Sequence, residues 1–331
     1  MHNDKIQNVL ITGGSGFIGI NLASALLKTG YKVKVLVRRT SNLKYLNNLN
    51  VEYRFGDLFN KDSLQQAIED CDMVFHTAAV VAMWKGKEEQ QYQTNVIGTR
   101  NIAEVALKSG IKKFIHTSSI ATLGWKQDGL LIDENTQFNQ NKNLTYNYTK
   151  FLAEKEILSY VDKGLPAVIV NPSIIIGPGD YNFHGGALIK RLKNKTIPFY
   201  FDGGINIAFI DDVVNGHINA AYYGKVGERY ILGGHNLTIK EALYQIAEII
   251  GVSPPHYKIS TRLIKAISKF FDLYSTIFKT RPLISSDLAA YIGKNFWVNS
   301  EKAIKELNYK ITPFDEAVRN TYNWYFQEGL I

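Results

Sequence analysis

The segment Val9-Leu10-Ile11-Thr12-Gly13-Gly14-Ser15-Gly16-Phe17-Ile18-Gly19 places three evenly spaced glycines between an apolar run and a helical pattern through Ile18, Leu22, Leu26 and Leu27. A glycine triplet at a strand-to-helix turn opening a βαβ unit constrains the fold strongly, because each glycine has its own steric task. Gly13 permits the tight turn, Gly16 lets the backbone approach a pyrophosphate, and Gly19 allows close helix packing. The free N–H groups of the helix N-terminus then meet phosphate charge. Gly13, Ser15, Gly16, Phe17, Ile18 and Gly19 are expected to cradle a dinucleotide.

The same alternation continues down the chain. Val33–Val37 reads as a second strand, and a helix around Leu64 to Ile68 precedes Met73-Val74-Phe75. A helix over Asn95 to Lys108 precedes Lys113–His116, and another over Tyr148 to Val161 precedes Ala167–Val170. Short buried strands alternating with helices predict an α/β fold, a doubly wound parallel Rossmann sheet. After Pro172 the pattern loosens, with Gly-Pro-Gly at 177–179 and Pro254-Pro255 as punctuation. The 331 residues suit one large or two intimate domains. We expect a nucleotide-binding domain over 1–172, with 203–233 returning to it, and a smaller, mainly C-terminal substrate-binding subdomain over 173–202 and 234–331.

An Asp or Glu about 20 residues beyond the glycine loop would hold the ribose 2′-hydroxyl of NAD. Here the second strand ends in Arg38-Arg39, with Lys44 nearby. A guanidinium fork suits a phosphate, so NADP(H) is expected over NAD(H).

Tyr146-Asn147-Tyr148-Thr149-Lys150 contains Tyr-x-x-x-Lys, and residues four apart share a helix face. Lys150 can therefore approach the cofactor ribose and the Tyr146 hydroxyl together, lowering the phenol's pKa toward useful acid–base chemistry. Upstream, His116-Thr117-Ser118-Ser119 ends a strand, where a doubly wound sheet presents side chains to ligands. A serine there can orient a reacting oxygen.

These residues together resemble the extended short-chain dehydrogenase/reductase superfamily, whose members share Thr-Gly-x-x-Gly-x-x-Gly, Ser and Tyr-x-x-x-Lys in this order. The resemblance covers nearly the whole chain and is nearest to the branch of dihydroflavonol reductases, 3β-hydroxysteroid dehydrogenases and hopanoid-associated sugar epimerases. It rests on Gly56-Asp57-Leu58, Phe75–Ala79, Thr94–Thr99, Thr117–Gly124, Asn171-Pro172-Ser173 through Gly177-Pro178, Asp211-Asp212-Val213 and Arg229–Gly234. It implies Ser119 as the catalytic serine, Tyr146 as proton donor and Lys150 as its partner. It further implies cofactor contacts from Asp57 and Leu58 at the adenine, and from Ala78 and Ala79 at the ribose-phosphate side. Pro172 and Ser173 would meet the nicotinamide edge, Thr117 would lie at the cofactor, and Asn95 would brace the site.

Some positions depart from related patterns. Nucleotide-sugar dehydratases carry Asp-Glu after the catalytic hydroxyl residue, where this chain has Ile120-Ala121. Sugar epimerases usually show an arginine and a tyrosine around the Asn171–Pro178 run, and both are missing. Phe209 stands where many relatives have histidine, and Asp211 is expected to cap the next helix.

The expected substrate wall includes Val80, Met83, Trp84, Ser119, Tyr181 and His184, with Phe183, Phe199, Tyr200 and Phe201 as further aromatic candidates. This composition favours an uncharged or amphiphilic carbonyl substrate, such as a ring ketone, a steroid-like or a long-chain β-keto compound. An NADP(H)-dependent carbonyl–alcohol oxidoreductase is the leading reading. An NAD(P)-dependent epimerase of a sugar or sugar nucleotide and a non-catalytic dinucleotide sensor are the alternatives.

The formal charge is +8, but the basic residues are scattered, without the long run that marks a nucleic-acid arm. One cysteine, Cys71, excludes a disulfide framework, and no His/Asp/Glu spacing suggests a metal. His76 and His116 read as packed beside the sheet. No apolar run spans a bilayer, and the polar stub Met1–Asn8 lacks a signal-peptide pattern, so a cytoplasmic protein is expected. The clearest amphipathic helix runs from Arg262 to Lys279. Leu263, Ile264, Ile267, Phe270, Phe271, Tyr274, Ile277 and Phe278 form one stripe, with Arg262, Lys265, Ser268, Lys269 and Asp272 opposite. The plain expectation is that it covers the core or the substrate pocket. Contact with a membrane surface or a homodimer partner stays open.

Overall fold

A computed structural model describes residues 7–127, 129–278 and 285–331. In the first half, β1 (Asn8–Thr12), α1 (Phe17–Lys28), β2 (Lys32–Val37), β3 (Glu52–Phe55), α2 (Lys61–Ile68), β4 (Met73–His76), α3 (Glu88–Gln91), α4 (Thr99–Lys108), β5 (Lys113–Thr117), α5 (Thr145–Val161) and β6 (Ala167–Pro172) follow one another. A π-helical stretch, Tyr92–Gly98, joins α3 to α4. The second half holds β7 (Ile174–Ile176), α6 (Ala187–Lys193), β8 (Phe199–Tyr200), β9 (Gly204–Phe209), α7 (Ile210–Tyr223), β10 (Arg229–Leu232), β11 (His235–Thr238), α8 (Ile239–Ile249) and β12 (Tyr257–Lys258). It closes with α9 (Thr261–Phe278), α10 (Ser286–Ala289), α11 (Glu301–Leu307) and α12 (Phe314–Gln327).

The main sheet has the order β10-β6-β5-β4-β1-β2-β3, with every pair parallel. Helices cover both faces, so Val9, Leu10 and Ile11 of β1 and Ala167 to Val170 of β6 are fully buried. The strand order reverses between β1 and β4. At such a switch point the carboxyl ends of the strands open a crevice for ligands. The fold is thus the doubly wound Rossmann sheet that the alternation predicts.

Within the stretch 203–233, expected to return to this sheet, α7 packs on β5 and β6 and β10 pairs with β6. β9 pairs with β7 and β11 in a separate three-stranded sheet, and only α7 and β10 rejoin the large one. The chain leaves β10 through Gly233-Gly234, and Gly234 lies against the backbone of Ile207 and Ala208. A side chain there would push β11 off β9. Asp211 also differs from expectation. Phe209 occupies the cap position of α7, and Asp211 sits in the first turn, where its charge favours the helix dipole.

Helix α9 departs furthest from its expected role. Ile264 and Ser268 are buried, and Ile264 joins Ala289 and Ile292 in a small cluster. Leu263, Phe270, Tyr274, Ile277 and Phe278 of the expected covering stripe are exposed, as is Leu273. That cluster is too narrow to take the whole stripe. Ser268, read as part of the polar face, instead points inward and donates to the Lys265 carbonyl at 3.0 Å. Lys279, the expected end of the helix, lies outside the described residues. Among the described residues no helix is long and apolar enough to cross a membrane.

Candidate active site

The glycine loop leaves β1 at the switch point. Gly13 has φ +73°, and a Cβ there would sit 2.6 Å from the backbone of Ala78, so the loop lies directly on the chain leaving β4. Gly16 N donates to Gly13 O at 2.9 Å, and Gly19 packs on the backbone of Gly13 and Gly14. Gly16 caps α1 without a side-chain hydrogen bond, and the first turn carries no acid. Exposed Ser15 and Gly16, with half-buried Phe17 and Ile18, leave that N-terminus open to an anion.

Around it stand the other expected cofactor residues. Arg38, Arg39 and Lys44 are exposed after β2, with the Arg39 guanidinium 5.6 Å from the centre of the Phe55 ring. Asp57 accepts from Phe59 N at 3.0 Å, and Asn101 Nδ2 donates to Leu58 O at 2.8 Å, which holds the turn between β3 and α2. Ala78 and Ala79 are half-buried. Pro172 is buried beside Ser173, whose hydroxyl is shut from solvent with no protein partner. A glycine cradle, an uncapped helix end and an unpaired buried hydroxyl fit a dinucleotide laid across the crevice.

The residues expected to handle protons meet where β5 ends against α5. Ser119 accepts from Ala121 N at 3.2 Å and caps a short turn, Ile120–Thr122. Burial holds the Tyr146 phenol above its ordinary pKa, while a hydrogen bond with Ser119 pulls it down. The lowering expected from Lys150 is not seen: the one opposing influence is the Ser119 hydrogen bond, and burial outweighs it. Lys150 is buried and donates to the Thr117 carbonyl at 2.8 Å. Its own pKa is drawn down to about 8 by burial, with Glu154 acting in the opposite direction. Asn95 is also fully buried. Its Oδ1 accepts from Val80 N at 2.8 Å, and its Nδ2 reaches Val80 O at 3.1 Å and Thr149 at 3.2 Å. It braces the loop after β4 against α5, from within the π-helical stretch. π-Bulges often mark functional positions.

Beneath Lys150 lies a buried polar layer that motif reading misses. Ser118 Oγ, Thr122 Oγ1 and Asn171 Nδ2 converge on Glu154 Oε1 at 2.5, 2.8 and 2.7 Å, and the Arg229 guanidinium lies 2.9 Å from Oε2. Glu154 follows Lys150 by four residues, so the helical spacing that links Tyr146 to Lys150 points to it as well. His76 bridges Thr12 at 2.6 Å and Thr99 at 2.9 Å, and stacks on His116. His217 pairs with Thr117 at 2.8 Å. Burial lowers the pKa of all three histidines, to about 3 for His76 and about 4 for His217. No group of His, Cys, Asp and Glu that could hold a metal occurs among the described residues.

Met83, Leu144, Tyr146, Asn147, Asp287 and Tyr291 line a narrow crevice at the phenol. It adjoins a cleft of about 490 Å³ bounded by Trp125, Asn139, Gln140, Lys294 and Phe296 among others. Two hydrogen bonds draw the α10 segment over the crevice: Ser285 Oγ to Met83 O at 2.5 Å, and Tyr291 Oη to Asn147 Oδ1 at 2.8 Å. Val80 and Trp84 are half-buried on the same loop as Met83. Tyr181 and His184, expected in the substrate wall, line neither space. Tyr181 packs against Tyr45 and Trp324, on the phosphate-loop side, and His184 is exposed. They are drawn there by buried Asp180, which accepts from the backbone N–H groups of His184, Gly185 and Gly186 and from Tyr325.

Residues 9–233 match the family described as the NAD dependent epimerase/dehydratase family. The chain belongs to this family. Epimerase/dehydratase relatives include a Synechocystis sp. protein named "Putative dihydroflavonol 4-reductase", 33% identical, over 97% of this chain and 95% of that one. The "Sterol demethylase protein B" of Methylococcus capsulatus is 29% identical over 98% of this chain and all of its own length. The crystal structure of gox2253 superposes with a TM-score of 0.86 at 34% identity, covering 98% of this chain and 99% of that one. Within this family the chain is an NAD(P)-dependent oxidoreductase of the extended short-chain dehydrogenase/reductase type. Its Ile120-Ala121 positions, which carry Asp-Glu in the dehydratase pattern, form the short turn after Ser119 and place no carboxylate there. Phe209, in the place of the expected histidine, is buried in the main core.

Proposed function

We propose that the protein is an NADP(H)-dependent oxidoreductase that interconverts a carbonyl and a secondary alcohol on a largely apolar, amphiphilic small molecule. The observation that carries this reading is the wall around Tyr146. Met83, Leu144 and Tyr291 meet the phenol in a crevice that leads to a cleft with both aromatic and amide linings. A bound nicotinamide dinucleotide supplies or accepts the hydride. Tyr146 delivers the proton to the carbonyl oxygen, and its burial keeps the phenol protonated in readiness. Ser119 orients the same oxygen by a hydrogen bond, and Lys150, one turn along α5 from Tyr146 and held by the Thr117 carbonyl, supports the phenol and the cofactor ribose. Arg38 and Arg39 receive the 2′-phosphate in place of an acid that would bind the 2′-hydroxyl. The relative named for sterol demethylation supports a substrate of apolar ring type.

The test is a fluorescence titration of dialysed protein with NADPH and NADH, followed by NADPH consumption over a panel of ketones. Exchangeable binding that prefers NADPH, with turnover on apolar ketones, is expected. Arg38→Ala should weaken NADPH about tenfold or more, the worth of a charge-assisted hydrogen bond, and leave NADH unchanged. Equal losses for both would refute the 2′-phosphate role. Tightly retained NAD without preference would replace the reductase by an epimerase that keeps its cofactor.

A further inference from the structure

We infer that α9 is a docking helix that lies flat on an anionic lipid bilayer and inserts its aromatic face among the acyl chains. Phe270, Ile277 and Leu273 are 65%, 64% and 61% exposed, and Leu263, Tyr274 and Phe278 are exposed beside them. At helical spacing these six residues, with Ala266, sweep one continuous side, next to the side where Ile264 and Ser268 are buried. Single exposed apolar residues are ordinary, but a patch of this size on one helix marks an interaction surface.

The charge around the patch selects the occupant. Arg262, Lys265 and Lys269 run along one edge of the apolar sweep, as on helices that rest at a lipid headgroup layer. The one acid of the helix, Asp272, is turned toward α10, where it accepts from Ser286 N at 3.1 Å. The chain as a whole carries +8, which draws it to a negative surface and sets it against a second copy of itself. No described helix can span a bilayer, so the contact is peripheral.

The α10 segment, on which α9 packs through Ile264, Ala289 and Ile292, covers the crevice at Tyr146. Ser285 and Tyr291 fasten it to Met83 and Asn147 beside Tyr146. Docking through α9 therefore brings the pocket wall to the membrane. On the proposed reading of an apolar, amphiphilic substrate, the bilayer is the phase from which that substrate arrives.

The experiment is co-sedimentation of the full chain with vesicles of phosphatidylglycerol and phosphatidylcholine, and with phosphatidylcholine alone, at low and high salt. The wild type is expected to bind the mixed vesicles, more weakly without phosphatidylglycerol and at high salt. Phe270→Ser with Ile277→Ser should weaken binding at least about tenfold while NADPH affinity and melting temperature stay unchanged, since both side chains face solvent. Arg262→Gln with Lys269→Gln should remove the preference for phosphatidylglycerol. Tyr146→Phe, which tests the chemistry, should bind vesicles as the wild type does, so the two proposals fail separately. Absence of wild-type binding to the mixed vesicles overturns the inference, as does undiminished binding by the double serine variant. So does a wild-type dimer, seen by light scattering, that the double serine variant splits, for then a second copy covers the face.

Discussion

Helices α5 and α9 are nearly equal in length, 17 and 18 residues, and the molecule uses them in opposite ways. α5 mixes polar and apolar residues around its circumference, yet it buries Asn147, Thr149, Lys150, Ala153, Glu154, Ile157 and Tyr160. α9 sorts its residues sharply by side, yet among its described side chains it buries Ile264 and Ser268 and turns six large apolar ones outward. The difference lies in what surrounds each helix. α5 sits over the carboxyl ends of β5 and β6, where Thr117, Ser118 and Asn171 supply hydrogen-bond partners for its lysine and glutamate. α9 touches α10 and a small cluster. Amphipathicity announces that a helix has an apolar face; what covers that face depends on neighbours supplied by the rest of the chain.

Substitutions along the two helices sharpen the contrast. Tyr146→Phe removes the proton donor and should lower turnover about a thousandfold, within the usual range for a general acid, with cofactor affinity intact. Stopped-flow or steady-state assay checks this, and retained turnover would sink the assigned role. Glu154→Ala strands the Arg229 guanidinium and three hydrogen-bonding groups, and should cost about 3 kcal/mol in chemical denaturation. Ile264→Ala, on the packed side of α9, should cost about 2 kcal/mol.

The layer beneath α5 also predicts a pH response. His76, His116 and His217 are held neutral in the fold and take protons once unfolded, so the folded chain binds fewer protons below the ordinary histidine value of 6.5. Stability is therefore full above that value and is lost as pH falls toward about 4, by roughly 1.4 kcal/mol per pH unit for each histidine. Urea unfolding at a series of pH values measures the slope; a flat profile from neutral to mildly acidic pH would contradict it. The smallest effect belongs to α9. Phe270→Ser should change stability by no more than about 0.5 kcal/mol. A larger loss would mean that the exposed face is packed after all.

The parts of this architecture legible from the chain are those whose signal is local. Gly13, Gly16 and Gly19 announce their turn because close backbone approach admits no other residue, and the buried strands announce themselves as apolar runs between helices. β3 is silent because Glu52-Tyr53-Arg54-Phe55 forms the sheet edge and lacks a buried strand's apolar run. β9 is not announced locally, because its partners β7 and β11 lie far from it along the chain. The site divides in the same way. Tyr146 and Lys150 stand four apart on one helix, and Glu154 continues the series. Tyr291 reaches Asn147 across 144 residues, and no local pattern marks that meeting. The position of Tyr181 and His184 is equally hidden, because it is set by Asp180, whose carboxylate gathers their loop and meets Tyr325 across 145 residues.

The cover held by Ser285 and Tyr291 has a consequence for descent. The residues assigned to proton transfer come from the stretch between Thr117 and Glu154, whereas one part of the wall they face, Asp287, Ala290, Tyr291, Lys294 and Phe296, comes from beyond Ser285. A duplicated gene can thus vary these five positions, reshaping which molecules enter, while the stretch from Thr117 to Glu154 stays as it is. The two hydrogen bonds to Met83 and Asn147 are the hinge pins of that exchange. A descendant that keeps them can swap its cover and remain an enzyme.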